Sequence, residues 1–376
     1  MTFLNLSRRS YAFLATLGTS THHRFRSPAV LNPVELPAFS FLQPGNNNLP
    51  KSTLTNNRQQ RLFSSSSSSS SLSFQAPEPP SSKGKAVFPD VDISSSSASS
   101  QISKAAEQRN NDPDAVFVVN GASRGIGLQM VQSLLLRTKG TIIAACRVPN
   151  DPESALNKYL ETLSPADSVR IDKAWLDLED QSSIDALESF LKTRHNKRVD
   201  GLFNVAGILG DGENTPGPER SLARMEREWM EHSLAVNVVG HVMLIKALRT
   251  MLKSNNARRK DGTPRPTSVV VNLSARVGSI SDNELGGWYS YRLSKAALNQ
   301  ATRTMAHELK RQGTYAIAVH PGTTDTDLSK PFQRNVKPEK LFPVDFTVNQ
   351  ILDVVDHVQE EHSGGLYDWA GKAIPF

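Results

Sequence analysis

Residues 115–130 read AVFVVNGASRGIGLQM. A short apolar run of β-branched and aromatic residues is closed by a glycine-bearing turn, and helical spacing resumes at once. The first part reads as a buried strand and the last as the start of a helix. Between them Gly121, Gly125 and Gly127 are spaced G-x-x-x-G-x-G. Glycines let such a turn bend sharply and let an anion approach the helix N-terminus, where free N–H groups and the helix dipole favour negative charge. The anion that suits this strand–turn–helix unit is a dinucleotide pyrophosphate, with Gly121, Ser123, Arg124, Gly125, Ile126 and Gly127 as candidate contacts. The alternative is a tight turn with no ligand.

Working outward, the same alternation continues. TIIAACR (141–147), VRIDKAWLDL (169–178), VDGLFNVAG (199–207), TSVVVNLS (267–274) and TYAIAVHPG (314–322) are apolar runs separated by helical patterns. A weaker helix near 345–361 and a short strand in GGLYDW (364–369) close the chain. Regular strand–helix alternation implies right-handed βαβ units and a parallel sheet. Continuous rather than alternating apolar runs imply strands covered on both faces. The predicted fold class is α/β, a single doubly wound Rossmann-type domain over 113–376 with a parallel sheet flanked by helices.

Ligands in such folds sit at the carboxyl ends of the strands. An NAD site usually has an acid after the second strand, for the ribose 2′-hydroxyl. Here that strand ends Cys146-Arg147, and Arg124 lies in the glycine turn. Two cations and no acid suit a 2′-phosphate, so NADP(H) is expected over NAD(H). A solvated surface charge is the alternative for each arginine. Asp177 and Leu178 end the third strand and are expected beside the adenine. Asn204, Ala206 and Gly207 end the fourth and are expected beside the adenine ribose. For Asp177 alone, a turn or cap role is the alternative.

WYSYRLSK (288–295) holds two tyrosines ahead of one lysine. Tyr291 and Lys295 are four apart and share a helix face, whereas Tyr289 and Lys295 differ by about 240°. Tyr291 is therefore the candidate acid–base, and Tyr289 packs or lines a pocket mouth. A phenol with a pKa of about 10 is a poor acid–base near neutrality. An ammonium about 4 Å away contributes on the order of 4 kcal/mol at an effective dielectric of 20, which predicts a lowered Tyr291 pKa, opposed by desolvation.

NGASRGIG, NVAG, Ser274 at a strand end, YRLSK and HPGTTDT (320–326) occur in the order and spacing of the short-chain dehydrogenase/reductase family, which the chain resembles over 113–376. YRLSKAALN, HPGTTDTDLSKPF and YDWAGKAIPF are most similar to the branch of bacterial C-factor proteins and small carbonyl reductases. The resemblance implies that Tyr291 exchanges a proton with substrate oxygen and that Lys295 lowers its pKa and bonds the nicotinamide ribose. It implies that Ser274 holds the substrate oxygen and that Asn237 anchors a water in a proton relay. Pro321, Gly322 and Thr326 would position the nicotinamide. Two positions depart from the pattern: Asn120 stands for the usual Thr, and Val205 for the second Asn of NNAG.

The expected activity is hydride transfer between NADP(H) and a small-molecule carbonyl or alcohol, and the resemblance implies a homodimer or homotetramer. A non-catalytic NADP-binding sensor is the alternative, and an epimerase or dehydratase on the same fold a further one. Residues 327–345 are placed as the substrate loop, with Phe332, Leu328, Leu285 and Trp288 as candidate pocket residues.

The chain's formal charge of +6 lies wholly in residues 1–110, which carry 11 Lys and Arg against 5 Asp and Glu; 111–376 carry 32 of each. The domain thus has no net field to draw it to nucleic acid. Cys146, the single cysteine, sits in an apolar run and reads as packing. The histidines are scattered without metal-ligand spacing, so no metal is expected. No apolar stretch is long enough to suggest a membrane span. Residues 1–63 are rich in Arg and hydroxyl side chains and hold one acid, Glu35, which reads as an organellar transit peptide. RLFSS (61–65) resembles a mitochondrial processing pattern and places the organelle matrix of the mitochondrion ahead of the plastid stroma. Residues 64–112, opening with an unbroken serine run to Ser71, read as a Ser/Pro-rich disordered linker.

Overall fold

The structure is a computed structural model and describes residues 74, 76–79, 81, 86–94, 102–210 and 218–376. These lie in one compact unit, Ser70–Phe376. The expected transit peptide falls outside the described residues.

In chain order the elements are α1 (Lys104–Asn110), β1 (Val116–Asn120), α2 (Gly125–Arg137), β2 (Thr141–Cys146), α3 (Ala155–Glu161), α4 (Pro165–Ser168), β3 (Ile171–Trp175), α5 (Gln181–Arg194) and β4 (Gly201–Asn204). Then come α6 (Arg227–Leu234), α7 (His241–Leu248), β5 (Ser268–Leu273), α8 (Tyr289–Leu309), β6 (Thr314–His320), β7 (Thr323–Thr324), β8 (Leu341–Phe342), α9 (Val344–His357), β9 (Leu366–Asp368) and β10 (Ala373–Ile374). The main sheet has the order β10-β9-β6-β5-β4-β1-β2-β3. Its pairings are parallel except β9 with β10. The order reverses between β1 and β4, which opens a crevice at their carboxyl ends.

Alternate residues of the buried strands feed two layers. Phe117 and Val119 pack with Met130, Leu134, Ile351 and Val355 of α2 and α9. Val116 and Val118 pack with Leu187, Leu244, Leu248 and Leu309 of α5, α7 and α8. Cys146 is buried in the first layer, and burial pushes its thiol up. Such a thiol is a packing group. No helix among the described residues is long and apolar enough to cross a membrane.

The linker expectation needs correcting at two places. Residues 104–110 form α1, whose buried Arg109 lies 3.5 Å from Asp356 of α9. Residues 86–94 form a strap along the β9–β10 end of the sheet: Val91 is buried and donates its N–H to Gly371 at 2.8 Å, and Asp90 accepts from Ala373 N at 2.8 Å. A few scattered apolar and charged residues suffice because their partners are already ordered.

Candidate active site

At the end of β1 the chain reverses at Gly121 with φ +85°, and a Cβ there would stand 2.8 Å from Ala206 N. Only glycine meets both conditions without strain. A Cβ on Gly127 would lie 2.1 Å from Gly121 O, so the first turn of α2 rests directly on the glycine loop. That helix has no side-chain cap and no acid in its first turn, so neither competes with an anion for its N–H groups. Thr326 joins this turn: its methyl is 3.5 Å from where a Cβ on Gly125 would be. Ser123 and Ile126 lie in the same turn, and exposed Arg124 approaches Asp327 at 4.0 Å. Arg147 is exposed just past β2 and forms no side-chain hydrogen bond or ion pair among the described residues.

The next strand ends follow. Asp177 accepts from Glu179 N at 3.1 Å and donates its own N–H to Ser183, so it organises a turn. Leu178 is buried against Gly240, where a Cβ would come within 2.4 Å. Asn204 is fully buried and bonds Asn272, which bonds Thr302 of α8; its side chain belongs to the core between β4, β5 and α8. Ala206 and Gly207 continue past it. A Cβ on Gly207 would stand 3.1 Å from Asn237 Oδ1 and 3.6 Å from Lys295 Nζ, so these three residues meet at one point.

Asn237 lies in a π-helical turn, Ala235–Gly240, between α6 and α7. Its amide clamps Ile208, accepting from the N–H at 2.8 Å and donating to the carbonyl at 2.9 Å, and it also reaches Ser294. Four residues on, His241 was not expected from sequence. It is fully buried, accepts at Nδ1 from Asn120 Nδ2 (3.3 Å) and donates from Nε2 to Ala206 O (2.9 Å). Burial, then Lys295, pushes its pKa down to about 3. The Asn that replaces the usual Thr at 120 thus holds a neutral histidine that ties β1 to the NVAG turn.

Tyr291 and Lys295 share one face of α8, with Nζ 5.5 Å from the tyrosine ring centroid. Nζ donates to Leu273 O at 2.8 Å. The expected lowering of the Tyr291 pKa is not what these contacts produce. Burial pushes Tyr291 up and Lys295 down to about 8. The ammonium is held by a backbone carbonyl, and desolvation outweighs attraction. Ser274, at the end of β5, is buried and donates from Oγ to Asn299 Oδ1 at 2.6 Å.

The start of α8 is set from elsewhere in the chain. Trp288 adopts φ +55°, a left-handed conformation uncommon for a bulky residue. It is held by the buried Glu219, whose carbonyl accepts from Trp288 N and whose carboxylate accepts from Ser290 N and Oγ. A carboxylate at a helix N-terminus is favoured by the dipole. Nothing in the sequence marked Glu219.

Pro321 follows β6, and Gly322 has φ +75° with the Phe342 ring 2.4 Å from where a Cβ would be. The loop after Thr326 pairs β7 with β8 and folds Phe332 onto Trp288, ring centroids 5.2 Å apart, with Trp288 6.3 Å from Tyr291. These two pocket candidates meet beside Tyr291. Leu285 does not join them: it is 92% exposed, and Leu328 is 40% exposed. Tyr289 is half-buried one position into the helix.

Comparison with known proteins agrees with the fold. A family model described as short chain dehydrogenase matches residues 115–337. The C-signal protein of Myxococcus xanthus is 30% identical over 178 residues, 47% of this chain and 93% of that protein. The 1-hydroxy-2-glutathionyl-2-methyl-3-butene dehydrogenase of Rhodococcus sp. (strain AD45) is 30% identical over 218 residues, 58% of this chain and 81% of that one. Among solved structures, an NADPH-bound carbonyl reductase from chicken fatty liver superposes with TM-score 0.60 at 27% identity, covering 74% of this chain and all of that one. The carbonyl reductase Sniffer of D. melanogaster gives TM-score 0.57 at 25% identity, covering 70% and 99%.

Proposed function

The chain belongs to the short-chain dehydrogenase family and is an oxidoreductase that uses a nicotinamide cofactor, and from that premise we propose that it is an NADP(H)-dependent reductase of small carbonyl compounds. The observation that carries this reading is the single face of α8 on which Tyr291 and Lys295 stand, beside Gly207 and Asn237. The nicotinamide supplies the hydride for the carbonyl carbon when bound. The glycine turn and the uncapped start of α2 fit its pyrophosphate. Exposed Arg147 and Arg124 fit a 2′-phosphate.

Tyr291 gives its hydroxyl proton to the substrate oxygen, and its raised pKa keeps that proton in place until the carbonyl is reduced. Lys295, with a pKa of about 8, is mainly protonated at neutral pH and offsets charge developing on the phenol. Ser274 orients the substrate oxygen, and Asn237 anchors the relay that restores the Tyr291 proton. Pro321, Gly322 and Thr326 hold the nicotinamide end, and Phe332 and Trp288 wall the pocket.

The test is NADPH oxidation with a panel of aldehydes, ketones and quinones, run on wild type and Tyr291→Phe. Turnover should fall by about a hundredfold or more in the variant while NADPH still binds. Equal inactivity of both proteins with intact binding would favour a non-catalytic sensor. Arg147→Asp should weaken NADPH far more than NADH, and equal weakening removes the 2′-phosphate assignment. Reductive turnover should decline above pH about 8, where Lys295 loses its proton. A flat profile from neutral to strongly alkaline pH contradicts that role.

We place the mature enzyme in an organelle matrix, the mitochondrion ahead of the plastid, as a homodimer or homotetramer. A fluorescent fusion of residues 1–80 that stays in the cytosol contradicts the first statement, and a monomeric mass in solution the second.

A further inference from the structure

Tyr291 and Lys295 are two of three side chains on the same helical line. Asn299 lies one further turn along α8, so the three stand at i, i+4 and i+8, each about 40° from the last. Asn299 is buried and 2.6 Å from Ser274 Oγ. Its other amide atom, Nδ2, is buried with no hydrogen-bond partner among the described residues. An orphaned buried N–H is costly, more so than an under-satisfied carbonyl.

A serine hydroxyl has one proton. With Asn299 Oδ1 accepting it, Ser274 has none to donate to a substrate oxygen. A half-turn of the Asn299 amide exchanges its two ends. Nδ2 then donates to Ser274 Oγ, its orphaned donor is satisfied, and the Ser274 proton is released toward the pocket. We propose that Asn299 is a positioning residue for the reductase reaction, whose amide turns to donate to Ser274 and so aims the serine proton at the carbonyl oxygen. Asn299 touches neither substrate nor cofactor in this scheme, and acts only through Ser274. The inference rests on the reductase reading above.

Asn299→Asp and Asn299→Leu separate the two polarities. An ionised Asp only accepts and keeps the serine proton; Leu offers nothing; both approximate the size of Asn. Each should lower kcat for an aldehyde from the panel roughly ten- to a hundredfold, less than the roughly hundred- to thousandfold seen when a donor in direct contact with a developing oxyanion is lost, because Asn299 acts through Ser274. NADPH affinity, read by fluorescence, should stay unchanged. In a Ser274→Ala background the same substitutions should add less than about twofold, since sites acting through one group are not additive. Wild-type kcat in both variants overturns the proposal. So does an undiminished effect in the Ser274→Ala background, or a matching loss of NADPH affinity, since each marks a merely structural role. Asn299→Asp keeps the test informative if the Leu variant does not fold. Absence of turnover in the wild-type enzyme overturns the reductase reading itself and is told apart by that control.

Discussion

The glycine turn at 121–127 and the segments 86–94 and 102–110 all lie outside the long sheet strands, yet they hold their places by opposite means. The turn is determined from within. Gly121 needs a positive φ, and Gly127 must lack a side chain because Gly121 O is where its Cβ would be. The earlier segments are determined from outside. Val91 and Asp90 bond residues 371 and 373, and Arg109 pairs with Asp356, all more than 240 positions away. Local necessity leaves a signature in a short window of sequence, whereas borrowed order leaves none. The family match begins at residue 115 and so includes the first region and omits the second.

The comparison breaks most visibly at Gly127. A Cβ placed 2.1 Å from a backbone oxygen cannot be relieved by a side-chain shift. Gly127→Ala is expected to weaken NADPH binding by more than a hundredfold and to lower stability by about 3 kcal/mol or more, in the range for severe backbone clashes. Fluorescence titration and urea unfolding check both. Near-normal binding would mean that the turn can open and is not determined from within.

Arg109→Leu tests the borrowed order. It leaves Asp356 buried with Asn110 at 2.9 Å and Arg137 at 3.9 Å as its remaining support. Losing one partner of a buried pair costs about 3–5 kcal/mol, and the remaining contacts should hold this case near 2–3 kcal/mol. Burial already pushes the Asp356 carboxyl up. A raised carboxylate pKa penalises the fold most where the group is charged in both states. The deficit should therefore be largest near neutral pH and narrow as pH falls through the Asp356 pKa. A chain begun at residue 113 loses Arg109 and the strap together and should be weaker still than Arg109→Leu, whereas one begun at residue 74 should unfold like the full chain. A pH-independent deficit would show that packing, not the buried charge, is what Arg109 contributes.

The same distinction explains how much of the site was legible. The strand-end motifs and the choice of Tyr291 over Tyr289 follow from periodicities within a few residues, and the structure brings Tyr291, Lys295, Asn237 and Gly207 together. Asn299 and His241 carried a usable signal, since they continue the spacing of Lys295 and Asn237 by four residues; the π turn before His241 makes that phase hard to trust. Glu219 carried none, because its role depends on a loop meeting the start of α8. Spacing reports a charge near Tyr291 but not the depth at which both groups are buried, so it predicts a lowered Tyr291 pKa where burial raises it. The strand pair β7–β8 and strand β10 are two residues long per strand, too short for any period to announce.

The smallest effect is expected at Phe74, a residue N-terminal to the strap whose ring joins the aromatic cluster of Phe342 and Phe346. Its ring packs edge-on to Phe346 at 5.0 Å and Phe342 at 5.8 Å. Phe342 in turn lies under Gly322 and against Trp369, ring centroids 4.9 Å apart. Aromatic pairs of this kind contribute about 0.5–1.5 kcal/mol beyond their buried area. Phe74 is half-buried at the end of the cluster, so Phe74→Ala should cost about 1 kcal/mol. The more telling readout is kinetic. If the ring steadies Phe342 beneath the Pro321–Gly322 turn, KM for NADPH should rise two- to threefold with kcat held. An unchanged KM together with the stability loss would confine the N-terminal stretch to scaffolding, and the contrast between the two regions would then extend to function as well as to folding.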